Sequence, residues 1–383
     1  MSSKKLRSSN FELLRIVAMF MIVIFHIVFH TVYEQLTNAK SIALMNNGLF
    51  NNPIFYKKLL TLVFILPLGK VGDTIFLLIS GYFMINKEQI DLGKIAKKLL
   101  LPLMFATTSL VIISFTLHRI FPDVFISLIP ITNVNIQSWF LGYYFLVMVM
   151  AALFLNRFLA KMDRKKYLAF LLVMFAIISF GWTGNLLNNL ADTLRTVLAG
   201  VFTYALGGYI KLYNPFGKVR MYILPLVWAG VYGLIFLSCY NMTQENIETF
   251  LQNSVNKNFT QVLPTSFYDF SMVVIILGVS LFEFARRIRL PNSRVINYIA
   301  SATFTIYLLH DNKFFYSVWN TQDWITLLYN KPFAFIGKLL LWGLGVFTFG
   351  VLMHILYLGI CRLCKSIKRI AIKEEKAQSQ ELQ

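Results

Sequence analysis

The chain has 383 residues, 57% of them hydrophobic and only 14% charged, with a formal net charge of +19. So large an apolar share excludes an ordinary soluble domain. It implies an all-α polytopic membrane protein, because helices satisfy their own backbone groups inside lipid. The basic residues fall in short loops between apolar runs, which fits the positive-inside rule better than a nucleic-acid-binding face, so no nucleic acid is expected as a partner.

The first ten residues are basic and polar, and no small-residue cleavage site follows the first apolar run. That run, over 11–32, reads as a retained spanning helix rather than a signal peptide. It carries Glu12, Arg15, His26 and His30. Ionisable groups inside a span are costly and are functional candidates by default. Arg15 and His26 are eleven residues apart, close to three turns, so they share one face roughly 16 Å apart along the axis. His30 lies one turn beyond His26 on that face, and Glu12 is spaced to pair with Arg15. Snorkelling of Arg15 and a polar helix–helix contact at the histidines are the bland alternatives.

Nine further spans are expected, near 71–86, 98–118, 139–157, 167–182, 195–212, 221–240, 265–285, 295–311 and 333–360. An apolar stretch at 56–68 precedes the second span and reads as re-entrant or interfacial. In the second span Asp73 sits at the outer end, and Ser80 and Gly81 sit deep. Their small size suits close helix packing more than a break in the helix. The following inner loop holds Lys94, Lys97 and Lys98, placed to meet the phosphates of a cytoplasmic ligand, although the positive-inside rule alone also puts lysines there. Trp139 opens the fourth span as an interfacial anchor. His310 closes the ninth span at the water interface, on the side that His26 and His30 approach. His118 reads as interfacial, and His354, in the last span, as a structural hydrogen-bonding group.

Cys239, Cys361 and Cys364 make no disulfide framework, and the C-x-x-C at the end of the last span reads as membrane-edge thiols, with no metal site expected. The stretches 33–70 and 241–263 read as outer loops rich in Asn, Gln and Thr, which suits a glycan partner and equally suits any outer loop. With both termini in the cytoplasm, most of the 36 basic residues lie inside. Residues 1–365 form the membrane domain, and 366–383 a charged cytoplasmic tail that frays.

Four of these segments together resemble the acyltransferase 3 family of integral membrane acyltransferases. They are Arg15 with His26 in the first span, the Asp73–Phe83 segment ending Ser80-Gly81-Tyr82-Phe83, Trp139-Phe140-Leu141, and Thr303-Phe304-Thr305-Ile306-Tyr307-Leu308-Leu309-His310. The resemblance implies transfer of an acyl group, commonly acetyl, from acyl-CoA to a hydroxyl of a carbohydrate or lipid-linked glycan. It implies Arg15 and His26 as the functional pair. The family often has two arginines in the inner loop where this chain has Lys94 and Lys97, and lysine meets phosphate as a point charge rather than a bidentate fork. The fused outer hydrolase-like domain of some relatives is lacking, so the expectation is that this chain either completes transfer itself or passes the acyl group to a separate acyl-accepting or glycan-assembly protein.

The residues themselves agree with that implication. Transfer to a hydroxyl needs a base working near neutral pH, and histidine supplies one. The expectation is therefore a cell-membrane O-acyltransferase with His26 as general base. Arg15, Lys94, Lys97 and Lys98 lie on the acyl-CoA side, and His30, Asp73, Ser80, Trp139 and His310 support substrate. No cofactor is bound permanently, since acyl-CoA is a substrate. The rival class is a transporter or flippase of a lipid-linked glycan, which ten spans with buried charges also permit.

Overall fold

The structure is a computed structural model that describes residues 8–37, 52–87, 89–123, 138–180, 188–252 and 271–381, and all regular structure among them is helical. The helices are α1 (Ser9–Val28), α2 (Pro53–Leu59), α3 (Leu68–Met84), α4 (Leu92–Ile120), α5 (Trp139–Met150), α6 (Arg164–Phe180), α7 (Asn188–Tyr213), α8 (Ile223–Gln252), α9 (Met272–Arg287), α10 (Arg294–His310), α11 (Lys313–Trp319), α12 (Trp324–Asn330) and α13 (Pro332–Glu381). Every expected span coincides with a helix, except that 181–182 and 265–270 lie outside the described residues. Among the described residues six segments are long and apolar enough to cross a membrane: Ser9–Leu36, Ile54–Met84, Leu92–Ile120, Trp139–Ala160, Ile223–Glu248 and Pro332–Ile370. Among the described residues α6, α9 and α10 have 17, 16 and 17 residues, at the short end of what a bilayer crossing takes, and α6 runs up to the last described residue before 181–187. α7 is longer but carries Asp192 and Arg195.

Three expected loops are partly helical. The 33–70 stretch begins with the end of α1, which passes through a wide π turn at Phe29–Tyr33 and continues over Glu34–Thr37. After 38–51, which lie outside the described residues, come α2 and a 3₁₀ turn at Leu60–Phe64. Tyr56, Leu59, Leu62, Val63 and Leu66 there are fully buried, so this segment is core rather than an interfacial ribbon. The 241–263 stretch is helical as far as Gln252, because Thr243 and Asn246 return hydrogen bonds to Cys239 O and Met242 O one turn back. Residues 253–263 lie outside the described residues. The tail past Lys365 continues α13 as helix to Glu381, where the sequence suggests a frayed end.

α1 is the central helix, packed by α3, α10, α13 and α9. α3 in turn packs against α7 through two glycines. A Cβ on Gly81 would lie 1.8 Å from Tyr204 O, and one on Gly207 would lie 2.3 Å from Leu78 O. Only glycine lets the two backbones approach this closely. α3 is continuous through Ser80 and Gly81, so the pair serves packing, with Ser80 Oγ donating to Phe76 O at 2.8 Å.

Polar contacts gather the helix ends into two sets. At one end Asn10 donates to Ala285 O at 3.1 Å, and Ser9 Oγ accepts from Ser293 N at 2.8 Å. Arg286 donates to Asn214 Oδ1 at 2.6 Å, and Asn156 to Met84 O at 2.9 Å. The fully buried Glu283 is bonded there by Arg286 at 2.8 Å and Arg287 at 3.0 Å. Arg287 also donates to Phe216 O and Val219 O. This basic end includes the start of α6, where Asp163 accepts from Lys166 N at 2.8 Å, a bond that draws its carboxyl below the usual carboxylate pKa. At the opposite end α11 and α12 fold over the ends of α1 and α10, tied by Gln35 to Asn320 at 2.7 Å and Asn52 to Tyr329 at 2.9 Å.

Candidate active site

The last turns of α1 and α10 meet at the end opposite the basic one. α10 stops at His310, and Asp311 leaves the helical conformation (φ −100°, ψ 80°) while Asn312 caps α11 by accepting from Phe314 N at 3.0 Å. Stopping the helix there lets two successive side chains face α1. His310 Nε2 lies 3.0 Å from His26 Nδ1, and Asp311 Oδ2 lies 3.3 Å from His26 Nε2. His26 Nδ1 also faces Ile22 O at 2.9 Å, and His310 Nδ1 faces Tyr307 O at 2.8 Å.

The other Asp311 oxygen is held as firmly. His30 Nε2 lies 3.1 Å from Oδ1, and Tyr316 of α11 donates its hydroxyl to the same atom. His30 stacks on Tyr316 with ring centroids 3.8 Å apart and lies nearly parallel to His26 at 5.9 Å. Its Nδ1 is 3.1 Å from Glu34 Oε2, without the alignment of a hydrogen bond. The π turn that begins at Phe29 sets this part of α1, a distortion that recurs at functional sites. His310 is fully buried and His30 only 7% exposed. The expectation of His310 at the water interface is therefore corrected: its ring is buried, 4.8 Å from the His26 ring and 5.8 Å from the Tyr307 ring.

Two adjoining cavities flank α1. The larger, about 500 Å³, is lined by Glu12, Arg15, Asp73, Ser80, Lys98 and Pro102, with Tyr144, Tyr307, His354 and Tyr357 further round its wall. Its size is ordinary for a small-molecule site. The smaller, about 20 Å³, is lined by Phe25, His26, Gly69, Lys70, Trp139 and Asp311. Ile22, Asp73, Phe140 and Tyr307 line both. Arg15 donates to Glu12 Oε1 at 2.9 Å, while the buried Glu12 Oε2 has no hydrogen-bond partner among the described residues. Lys70 lies over the Trp139 ring at 5.5 Å, and Trp139 is 41% exposed.

Of the expected residues, His26, His30 and His310 converge on Asp311, while Arg15, Lys98, Asp73, Ser80 and Trp139 line the cavities. Lys94 and Lys97 are exposed on α4 and line neither. His354 bridges Ser301 Oγ at 3.2 Å and Thr305 Oγ1 at 2.8 Å, the structural role its isolation suggests, although it also lines the larger cavity. Asp311, Tyr316, Glu34 and Lys70 are the residues sequence reasoning missed. Asp311 follows His310 directly, which is the one signal that pointed to it.

A family model described as an acyltransferase domain, of the acyltransferase 3 type, matches residues 8–356. The chain belongs to this family. No curated protein and no solved structure matches it. The acyltransferase domain thus spans α1 through the first half of α13 and contains the histidine–carboxylate cluster and every cavity-lining residue except Tyr357.

Proposed function

We propose that this protein is a cell-membrane O-acyltransferase that moves an acetyl group from acyl-CoA to a hydroxyl of a cell-surface or lipid-linked carbohydrate. The observation that carries the reading is the layout along α1. Arg15 lines the large cavity, His26 lines the small one, and the two cavities share a wall. The positive-inside rule puts the basic end in the cytoplasm, with both termini, where acyl-CoA is found. The donor's phosphates meet Arg15 and Lys98, with Lys94 and Lys97 as an outer rim. Its pantetheine arm extends along the large cavity and brings the thioester to His26. The acceptor comes from the other end, where the exposed Trp139 face suits a sugar ring and Asp73 accepts from hydroxyls.

In the transfer step the acceptor oxygen attacks the thioester carbonyl while the His26 pair takes its proton. The carbon–sulfur bond then breaks, and the CoA thiolate leaves with that proton. General-base assistance of this kind contributes about 10²- to 10⁴-fold. Membranes containing the protein should release CoA from acetyl-CoA in a glycan-dependent way, and NMR spectra of the surface glycan should lose O-acetyl signals when the gene is removed. Glycan movement across the membrane with no acetyl-CoA consumed would overturn the reading in favour of a transporter.

A further inference from the structure

Acyl transfer puts negative charge on the carbonyl oxygen of the thioester as the acceptor attacks. A hydrogen-bond donor fixed beside that oxygen stabilises it far more in a low-dielectric site than in water. The His26 pair takes a proton and leaves this charge unmet. We propose that Tyr307 is a catalytic residue whose hydroxyl donates to the carbonyl oxygen of the acyl donor. This rests on the acyltransferase reading above. Tyr307 lines both cavities, so it stands on the wall where a thioester carried along the large cavity meets the small one that His26 lines. It is partly exposed, whereas His310, three residues on, is buried.

The phenol's own hydrogen bond fixes what it can offer a ligand. α5 begins at Trp139, so the Phe140 N–H is one of those that a helix start leaves without a partner in its own helix. Phe140 N donates to the Tyr307 hydroxyl oxygen at 3.1 Å, and the two rings pack with centroids 6.0 Å apart. The oxygen is therefore an acceptor toward α5, and its single proton points elsewhere. Among the described residues the hydroxyl donates to no protein group. A hydroxyl that already accepts from an N–H is the stronger donor, because linked hydrogen bonds polarise one another. Lys70 is the rival for this role. Its ammonium lies over the Trp139 ring at 5.5 Å and the Phe25 ring at 5.9 Å, and it lines the small cavity without reaching the large one. In the transfer step the acceptor oxygen bonds to the carbonyl carbon and the carbonyl π pair moves to its oxygen, which Tyr307 holds without giving up its proton. The carbonyl re-forms as the carbon–sulfur bond breaks, and the thiolate leaves with the proton that the His26 pair took.

Tyr307→Phe tests this, because it removes the hydroxyl and keeps the ring. The expected result is a fall in kcat of about 10²- to 10³-fold, the usual loss for one such donor, with KM for acetyl-CoA changed less than about threefold. If the Phe140 bond were structural alone, the variant would lose abundance or melt earlier in detergent, and kcat per folded molecule would stay near normal. That outcome would overturn the proposal, as would a loss carried by KM alone. A second readout needs no turnover. With no glycan present, the carbonyl stretch of bound ¹³C-acetyl-CoA should lie at lower frequency than that of free acetyl-CoA, and should return toward the free value in Tyr307→Phe. The same frequency in wild type and variant would overturn the assignment. If the wild type consumed no acetyl-CoA, the acyltransferase reading itself would fall. If it consumed acetyl-CoA and Tyr307→Phe did so equally fast, the role of Tyr307 alone would fall.

Discussion

On the proposed reading the His26 imidazole takes the acceptor proton, so His26→Ala should lower transfer by about 10²- to 10⁴-fold. His30→Ala should cost far less. It removes one of two donors to Asp311 Oδ1 and leaves the Tyr316 hydroxyl in place, so the loss should stay near tenfold, the size of one charged hydrogen bond. Acetyl transfer by both variants at equal membrane abundance checks this, and equal mild losses would remove His26 from the chemistry. The Arg15–His26 pairing was legible in the sequence because both lie on one helix, where spacing fixes the face. The partnership with Asp311 was not, because it joins residues 285 positions apart through the stop after His310. The burial of His310 was hidden for the same reason: its ring packs on His26, far away in the sequence.

The glycine contacts make the seam between α3 and α7 sensitive to a single methyl group. Gly81→Ala would set its Cβ against the Tyr204 carbonyl, a backbone atom that cannot step aside as a side chain can. Overpacking typically costs about 1–3 kcal/mol, and a backbone collision belongs at the top of that range or above it. The variant should show a lower melting temperature in detergent and reduced abundance. Gly230→Ala and Gly233→Ala on α8 meet open space and should be neutral or slightly stabilising, since alanine favours helix. Glu283→Ala should also destabilise, but by less than the about 3–5 kcal/mol of breaking a fully buried pair, because Arg286 keeps Asn214 and Arg287 keeps the Phe216 and Val219 carbonyls. Hydropathy located the helices of this bundle well. It misplaced the ends of α1 and α8, which extend into polar sequence where side-chain-to-backbone bonds and packing outweigh composition. The π turn in α1 leaves no mark in a pattern built on regular helical spacing.

At the scale of the whole molecule, a donor at the basic end and an acceptor at the other require the two substrates to respond to different substitutions. Lys98 lines the large cavity and Lys94 and Lys97 are exposed on the same helix, and the proposed reading assigns all three charges to the donor side. Replacing the three with glutamine should raise KM for acetyl-CoA and flatten its dependence on salt, because exposed charges act through a screened field. KM for the glycan should not move. Arg15 needs more care. Arg15→Ala alone leaves the buried Glu12 carboxylate without its partner, and an unpaired buried charge can unfold the protein for reasons unrelated to the donor. The double variant Glu12→Gln/Arg15→Ala removes both charges together. It should insert normally and raise KM for acetyl-CoA by about tenfold or more, the worth of a charge-assisted hydrogen bond of about 1.5–3 kcal/mol. Trp139→Ala should do the opposite, raising KM for the glycan and sparing the donor. Sided vesicles give the decisive measurement. Acetyl-CoA should be consumed only when it is supplied on the face that cysteine labelling assigns to Lys94 and Lys165, and Asp323 should label from the other face. Turnover with acetyl-CoA supplied only on the Asp323 side would reverse the direction of the reaction path along α1.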